Sequence, residues 1–88
     1  AVELAPNDPF ILDSLGWVHY RLGKLDSAEA TLKKAFDLRQ DEEIGLHLLE
    51  VLLKAGKKEE ARQLGNRLTV RYPDSKALKK LVQQVEEI

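Results

Sequence analysis

Apolar residues recur along this chain at helical spacing, and the polar punctuation between them divides it into five segments. Residues 9–22 are densely apolar and follow Asp8-Pro9. That pair supplies a capping carboxylate and then a proline at the first helical position, where no N–H is needed. Gly23 is the natural left-handed terminator after Leu22. The pattern predicts a second helix over 25–38, with Asp26 and Glu29 near its start, where the helix dipole favours negative charge. Asp41 is expected to cap a third helix over 42–54, which Gly56 closes. A fourth, 58–71, opens on Glu59-Glu60 and is stopped by Pro73; Asp74 is expected to cap a fifth over 75–87. No segment shows the strict alternation of a half-buried strand. The connections run two to four residues, which makes neighbouring helices antiparallel hairpins.

The chain also repeats itself. Arg21-Leu22-Gly23-Lys24 aligns with Lys54-Ala55-Gly56-Lys57, and Ala28 with Ala61, both at an offset of 33 residues. Leu12, Leu15 and Leu25 fall on Gly45, Leu48 and Lys58, so the echo is worn. Ala5-Pro6-Asn7-Asp8 matches Tyr72-Pro73-Asp74-Ser75 at an offset of 67, two periods plus one residue.

Two helices per unit and a period near 34 resemble the tetratricopeptide repeat, whose pattern is W-x2-L-G-x2-Y…A-x3-F…P. The first unit reads Leu12-x2-Leu15-Gly16-x2-His19, then Ala28-x3-Leu32 and Ala35; the second reads Gly45-x2-Leu48-Leu49-x2-Leu52, then Ala61-x3-Gly65 and Pro73. The run from Leu12 to Gly23 is similar to the last repeats of bacterial, especially proteobacterial, members. The resemblance covers the whole chain and implies an all-α fold, an α-α superhelix of two helical hairpins plus a C-terminal capping helix, stacked right-handedly. Its units would be 1–8 as the tail of a preceding repeat, 9–41, 42–74, and 75–88 as the cap. Pro6 and Pro73 sit where the family's proline ends a unit, and Gln40 takes that place in the first.

Packing explains the pattern. Gly16 and Ala28 are small because the two helices of a hairpin approach closely there, and Leu15, Leu22, Leu25 and Leu32 are expected to fill the space beside them. Gly23 and Gly56 turn the chain. In the second unit Leu49 replaces the close-approach glycine, Leu68 an alanine, and Gly65 a large residue, as if small and large residues had traded places with volume partly preserved. On the fifth helix Ala77, Leu78, Leu81, Val82 and Val85 form one apolar side, expected to dock on the last hairpin.

Composition narrows the function. With 88 residues the chain is one domain, too small for a deep two-walled cleft. Fourteen basic against fifteen acidic residues, with −2 in residues 1–41 and +1 in 42–88, argue against a nucleic-acid track. Lys33-Lys34, Lys57-Lys58 and Lys79-Lys80 lie on different helices among glutamates and read as solvated faces. There is no cysteine, hence no disulfide or thiolate chemistry, and no stretch long and apolar enough to span a membrane. With no methionine, the chain is expected to be a piece of something longer. The compartment is unreadable; the resemblance implies a bacterial cytoplasm or a cell envelope and periplasm.

Candidate chemistry is thin. Glu43, His47 and Glu50 share one helical face and could in principle hold a divalent cation, but no known metal spacing is present. His19 takes the family's tyrosine position and reads as a half-buried packing histidine with one hydrogen bond. Asp13 stands on a different face from His19, and Ser14 has no neighbouring base, so no nucleophile–base–orienter set assembles. The expectation is therefore a non-enzyme, with no cofactor, metal, small-molecule substrate or nucleic acid.

The most informative stripe is Phe10, Asp13, Trp17 and Tyr20, at spacings of 3, 4 and 3, with Arg21 beside it. The resemblance places Asp13, Trp17, Tyr20 and Arg21 in the concave groove, joined by Leu46, His47, Glu50 and Lys54 of the next unit. Aromatic and arginine side chains are common binding anchors. Function is then non-catalytic binding of a protein or peptide segment, a basic and apolar one rather than an acidic C-terminal peptide, because Asp13, Glu43 and Glu50 repel a carboxylate. The rival reading is a structural end of a longer solenoid, with Trp17 and Phe10 merely packing on a preceding repeat. The N-terminal edge at Phe10, Ile11, Leu12 and Val18 is expected to self-associate if bare.

Overall fold

The computed structural model describes residues 8–87, and those residues form five α-helices and no strand. They are α1 (Pro9–Arg21), α2 (Leu25–Leu38), α3 (Glu42–Lys54), α4 (Lys58–Arg71) and α5 (Lys76–Glu87). Of the expected tail, 1–8, residues 1–7 lie outside the described residues. α1 packs on α2 and α3 on α4 as hairpins; α3 also touches both helices of the first hairpin, and α5 covers α3 and α4.

Local chemistry sets the ends. Asp8 Oδ1 accepts from the N–H of Phe10 at 2.9 Å and of Ile11 at 3.3 Å, with Pro9 at the first helical position. Asp41 does the same for Glu43 and Ile44. Gly23 and Gly56 adopt φ of 80° and 73°, the left-handed region that lets the chain reverse without a Cβ clash. One expected cap moves: Ser75 Oγ, not Asp74, accepts from the N–H of Leu78 at 3.2 Å, because the chain turns through Pro73-Asp74 before α5 begins.

The core is continuous through both hairpins. Leu12, Ala28, Leu32, Ala35, Phe36, Ile44, Leu48, Leu49, Leu52, Ala61, Leu64 and Leu68 are buried, and Leu78 and Val85 bring α5 onto them. Close approach decides the packing. A Cβ on Gly16 would fall 2.6 Å from Leu32 Cγ, and one on Gly45 the same distance from Leu68 Cδ2. The second hairpin thus moves its contact glycine one turn earlier and meets it with Leu68, which is the exchange of small for large that the sequence suggests. Gly65 is also a contact residue: a Cβ there would meet Val82 of α5 at 3.3 Å.

Some expected core positions lie elsewhere. Leu15 and Leu22 do not fill the space beside Gly16; both are exposed, because Leu32 occupies that space and the two leucines face away from α2. Leu12, expected at the bare edge, is buried instead. Ala77 is exposed, and the docking side of α5 narrows to Leu78 and Val85, with Leu81 and Val82 half-buried. His19 is half-buried, but its Nδ1 is enclosed with no hydrogen-bond partner, unlike the single bond expected of it.

Polar ties join the hairpins. Buried Glu29 of α2 meets Lys33 Nζ at 2.7 Å and Lys57 Nζ, just before α4, at 2.8 Å. Burial pushes the Glu29 carboxyl up, but the hydrogen bonds and charge of Lys33 and Lys57 outweigh it and hold the pKa below its ordinary value. Gln40, in place of the unit-ending proline, accepts from Arg67 at 3.1 Å through its side chain and from the Tyr72 hydroxyl at 3.0 Å through its backbone carbonyl. A proline could offer only the second of these bonds.

Three outcomes follow for stability. Gly16→Ala should cost about 1–3 kcal/mol, since Leu32 must leave its position to admit a methyl group; urea denaturation reads this directly. Truncation before Ser75 should abolish the cooperative thermal transition, because Leu78 and Val85 would leave the floor of α3 and α4 open; an unchanged melting curve would show that α5 is dispensable. Glu29 is ionised more readily when folded than unfolded, so its contribution is full above the ordinary carboxylate range and fades as pH falls through its lowered folded pKa. Glu29→Gln should therefore flatten the acid limb of the stability–pH profile while lowering stability at pH 7.

Candidate functional site

One face of α1 meets one face of α3, and the interest of the surface lies along that seam. On α1, Asp13, Trp17 and Tyr20 follow one another at helical spacing; on α3, Glu43, His47, Glu50 and Lys54 do the same. His47 Nδ1 lies 2.7 Å from Asp13 Oδ1. Because the carboxylate only accepts, the imidazole proton sits on Nδ1. The Trp17 ring stacks on His47 with centroids 4.3 Å apart and rests against Tyr20 at 4.7 Å. Burial, and then the charge and hydrogen-bonding pull of the Glu50 carboxylate, push the Tyr20 pKa up.

Five of the eight candidate groove residues therefore stand together: Asp13, Trp17, Tyr20, His47 and Glu50. Asp13 is buried, while Trp17, Tyr20, His47 and Glu50 are half-buried. Leu46 is half-buried against the core, and no contact among the described residues joins it to the Trp17–His47 cluster. Arg21 and Lys54 are exposed near the C-terminal ends of α1 and α3, and neither makes an ion pair among the described residues. Glu43 is exposed at the other end of the α3 stripe. Phe10, in line with the α1 stripe, is drawn off by Arg39, whose guanidinium carbon lies 5.6 Å from the ring centre.

The Asp13–His47 pair escapes a reading confined to one helix, which weighs Asp13 only against His19. A usable signal exists: the two residues are 34 apart, close to one repeat period. Residues one period apart occupy equivalent places on successive hairpins and so face each other. By the same rule Trp17 meets the helix carrying Glu50. Far from these contacts, α2 and α4 flank a hollow of about 250 Å³, floored by Phe36, Leu48, Leu52 and Leu64 and bridged at its rim by Lys33 and Glu60, 3.7 Å apart.

The arrangement offers stacking surface, a carboxylate stripe and flanking cations, which is the equipment of recognition. Among the described residues no group of three or more histidine, cysteine, aspartate or glutamate side chains is placed to hold a metal ion, since His47 points at Asp13 rather than along its own helix. No helix among them is long and apolar enough to cross a membrane.

Comparison with known proteins agrees with this architecture. The family model described as tetratricopeptide repeat matches residues 19–85. A TPR repeat-containing protein of Pseudomonas aeruginosa is 50% identical over 50 residues, which is 57% of this chain and 8% of that protein's length. The chain thus spans under a tenth of the relative it resembles. No solved structure matches. With paired antiparallel helices, a small-residue contact in each hairpin and a family match over most of its length, the chain belongs to the tetratricopeptide repeat family.

Proposed function

We propose that the face shared by α1 and α3 binds a partner polypeptide segment that is basic and apolar. Tetratricopeptide repeats generally mediate protein–protein interaction. In this reading residues 9–41 and 42–74 are the repeat units and 75–88 the closing helix. The observation that carries it is the pairing of half-exposed aromatic surface, Trp17 and Tyr20, with the carboxylate stripe of Glu43 and Glu50. A cationic side chain gains from both the ring face and the carboxylates, and an aliphatic neighbour gains from Leu46. A carboxylate would meet repulsion from Glu43 and Glu50, which Arg21 and Lys54 at the far ends do not offset. No catalytic step is part of this function, and neither is a cofactor.

A second reading has an observation of its own. Asp13, Trp17 and His47 satisfy one another, as they would in a strut that fixes the angle between hairpins inside a longer solenoid.

Trp17 is the only tryptophan, so its fluorescence reports on the face directly. Titration with a lysine- and leucine-rich extended peptide should shift Trp17 emission, and Glu43→Lys should weaken that binding about tenfold with helicity unchanged. An acidic peptide with a free C-terminal carboxylate should give no response at physiological salt. Binding of the acidic peptide, lost on amidation of its carboxylate, would overturn the chemistry; silence toward both peptides would favour the strut.

A further inference from the structure

His47 stands where any charge it gains is felt by a segment bound to the α1–α3 face. It is one of two histidines in the chain. Glu43 and Glu50 flank it on α3, each one helical turn away. Its side chain is 24% exposed. Nδ1 is committed to Asp13 Oδ1 at 2.7 Å, so a second proton enters at Nε2, which has no hydrogen-bond partner among the described residues. The ring lies against Trp17 with centroids 4.3 Å apart and planes 28° apart. Asp13 and Trp17 thus hold the imidazole in place. Nδ1 donates to Asp13 in both protonation states, so the charge of His47 can change while the joint between hairpins keeps its bond.

Histidine is the side chain whose charge ordinarily changes between about pH 5 and 8. The groups around this one are mainly acidic. α1 brings Asp13 directly and Tyr20 through Trp17, with Arg21 beyond it; α3 itself brings Glu43, Glu50 and, one turn further, Lys54. α2, α4 and α5 also pack on α3, but among the described residues they bring no hydrogen bond or ion pair to the imidazole. Asp13, Glu43 and Glu50 against Arg21 and Lys54 leave this face with one net negative charge, which a second proton on His47 cancels.

We propose that His47 makes the capture of a basic segment proton-dependent: the segment is held while the imidazole is neutral and released when it gains its second proton. This rests on the binding function proposed above and adds its regulation. The new charge arises between the two carboxylates that attract a cationic side chain. It also arises against the Trp17 ring, so the imidazolium itself takes the ring face that such a side chain would use. The coupling is reciprocal: a segment that prefers the neutral form opposes the entry of the proton by the same factor.

Two measurements on the 88-residue chain test this. An imidazolium in contact with an indole quenches its emission far more than a neutral imidazole does, and Trp17 is the sole tryptophan. Emission of the free chain should therefore fall between about pH 8 and about pH 5. His47→Gln, which keeps an N–H for Asp13 but gains no proton, should abolish the fall; His19→Gln, at the other histidine, should not. The second measurement is calorimetric titration with a lysine- and leucine-rich peptide that is blocked at both ends and free of histidine and carboxylates. The chain should bind it roughly fivefold more weakly at about pH 5.5 than at about pH 7.5. In His47→Gln the affinities at the two pH values should agree, and His47→Lys, charged at both, should bind weakly at both. Circular dichroism should report the same helicity throughout. A flat emission profile in the free chain would overturn the proposal whatever the peptide does, because no proton then arrives beside Trp17. Emission that responds while affinity stays constant would overturn the linkage and leave the binding function standing. Absence of binding at either pH would overturn both, and a response lost in His19→Gln instead of His47→Gln would overturn the assignment to His47.

Discussion

The structure depends on how closely its helices approach. At Gly16 and at Gly45 the space where a side chain would begin is already taken by a leucine of the opposing helix. That contact sets the depth of each hairpin and, with it, which faces remain available. Leu32 is wholly buried because it fills the space above Gly16; Leu15, one residue away on the same helix, is left outside for the same reason. The two hairpins reach this state with different residues. In the first, glycine lies in mid-helix against Leu32 and the carbonyl of Ala28; in the second it lies near the start of α3 against Leu68 and Phe36. Volume is conserved while its distribution along the helix is not, which is the tolerance expected of a close-packed core.

Between hairpins the work passes to polar groups. Glu29 with Lys57, Gln40 with Arg67 and Tyr72, and Asp13 with His47 each join the first hairpin to the second. The first two hold the α2–α4 side and the third holds the α1–α3 side, so the angle between hairpins is fixed from both faces. Hydrophobic contact alone is non-directional and would leave that angle soft. Hydrogen bonds with heavy-atom distances near 3 Å are directional, and they are what keep Trp17, Tyr20 and Glu50 within reach of one another.

α1 carries three kinds of surface. Leu12 and Gly16 face the core, Asp13, Trp17 and Tyr20 face α3, and Ile11, Leu15, Val18 and Leu22 face outward. A helix apolar on two sides is a helix with two neighbours, and here the second neighbour is not another part of the described chain. The chain's membership of a repeat family and the short span it covers in a longer relative agree with such a helix, whose stacking partners need not all be local.

Sequence alone determined the helices, the turns, the caps of α1 and α3, and the family. These follow from interactions within a few residues, such as Asp8 and Asp41 on the next turn's N–H groups and Gly23 and Gly56 at positive φ. It also determined the candidate face, because spacing along a helix decides which side chains share a side. Tertiary structure alone decided which apolar side of α1 is buried, since Leu12 and Leu15 are equally apolar and differ only in what stands opposite. It decided that Asp13 belongs with His47 and not with His19, a pairing across 34 residues that no local rule contains. It decided too that Glu29 is a buried tie rather than a dipole charge on the surface, because Lys57 arrives there only when α4 folds back on α2. Local physics acts through the chain and can be read along it; packing acts through space, where sequence neighbours cease to be neighbours.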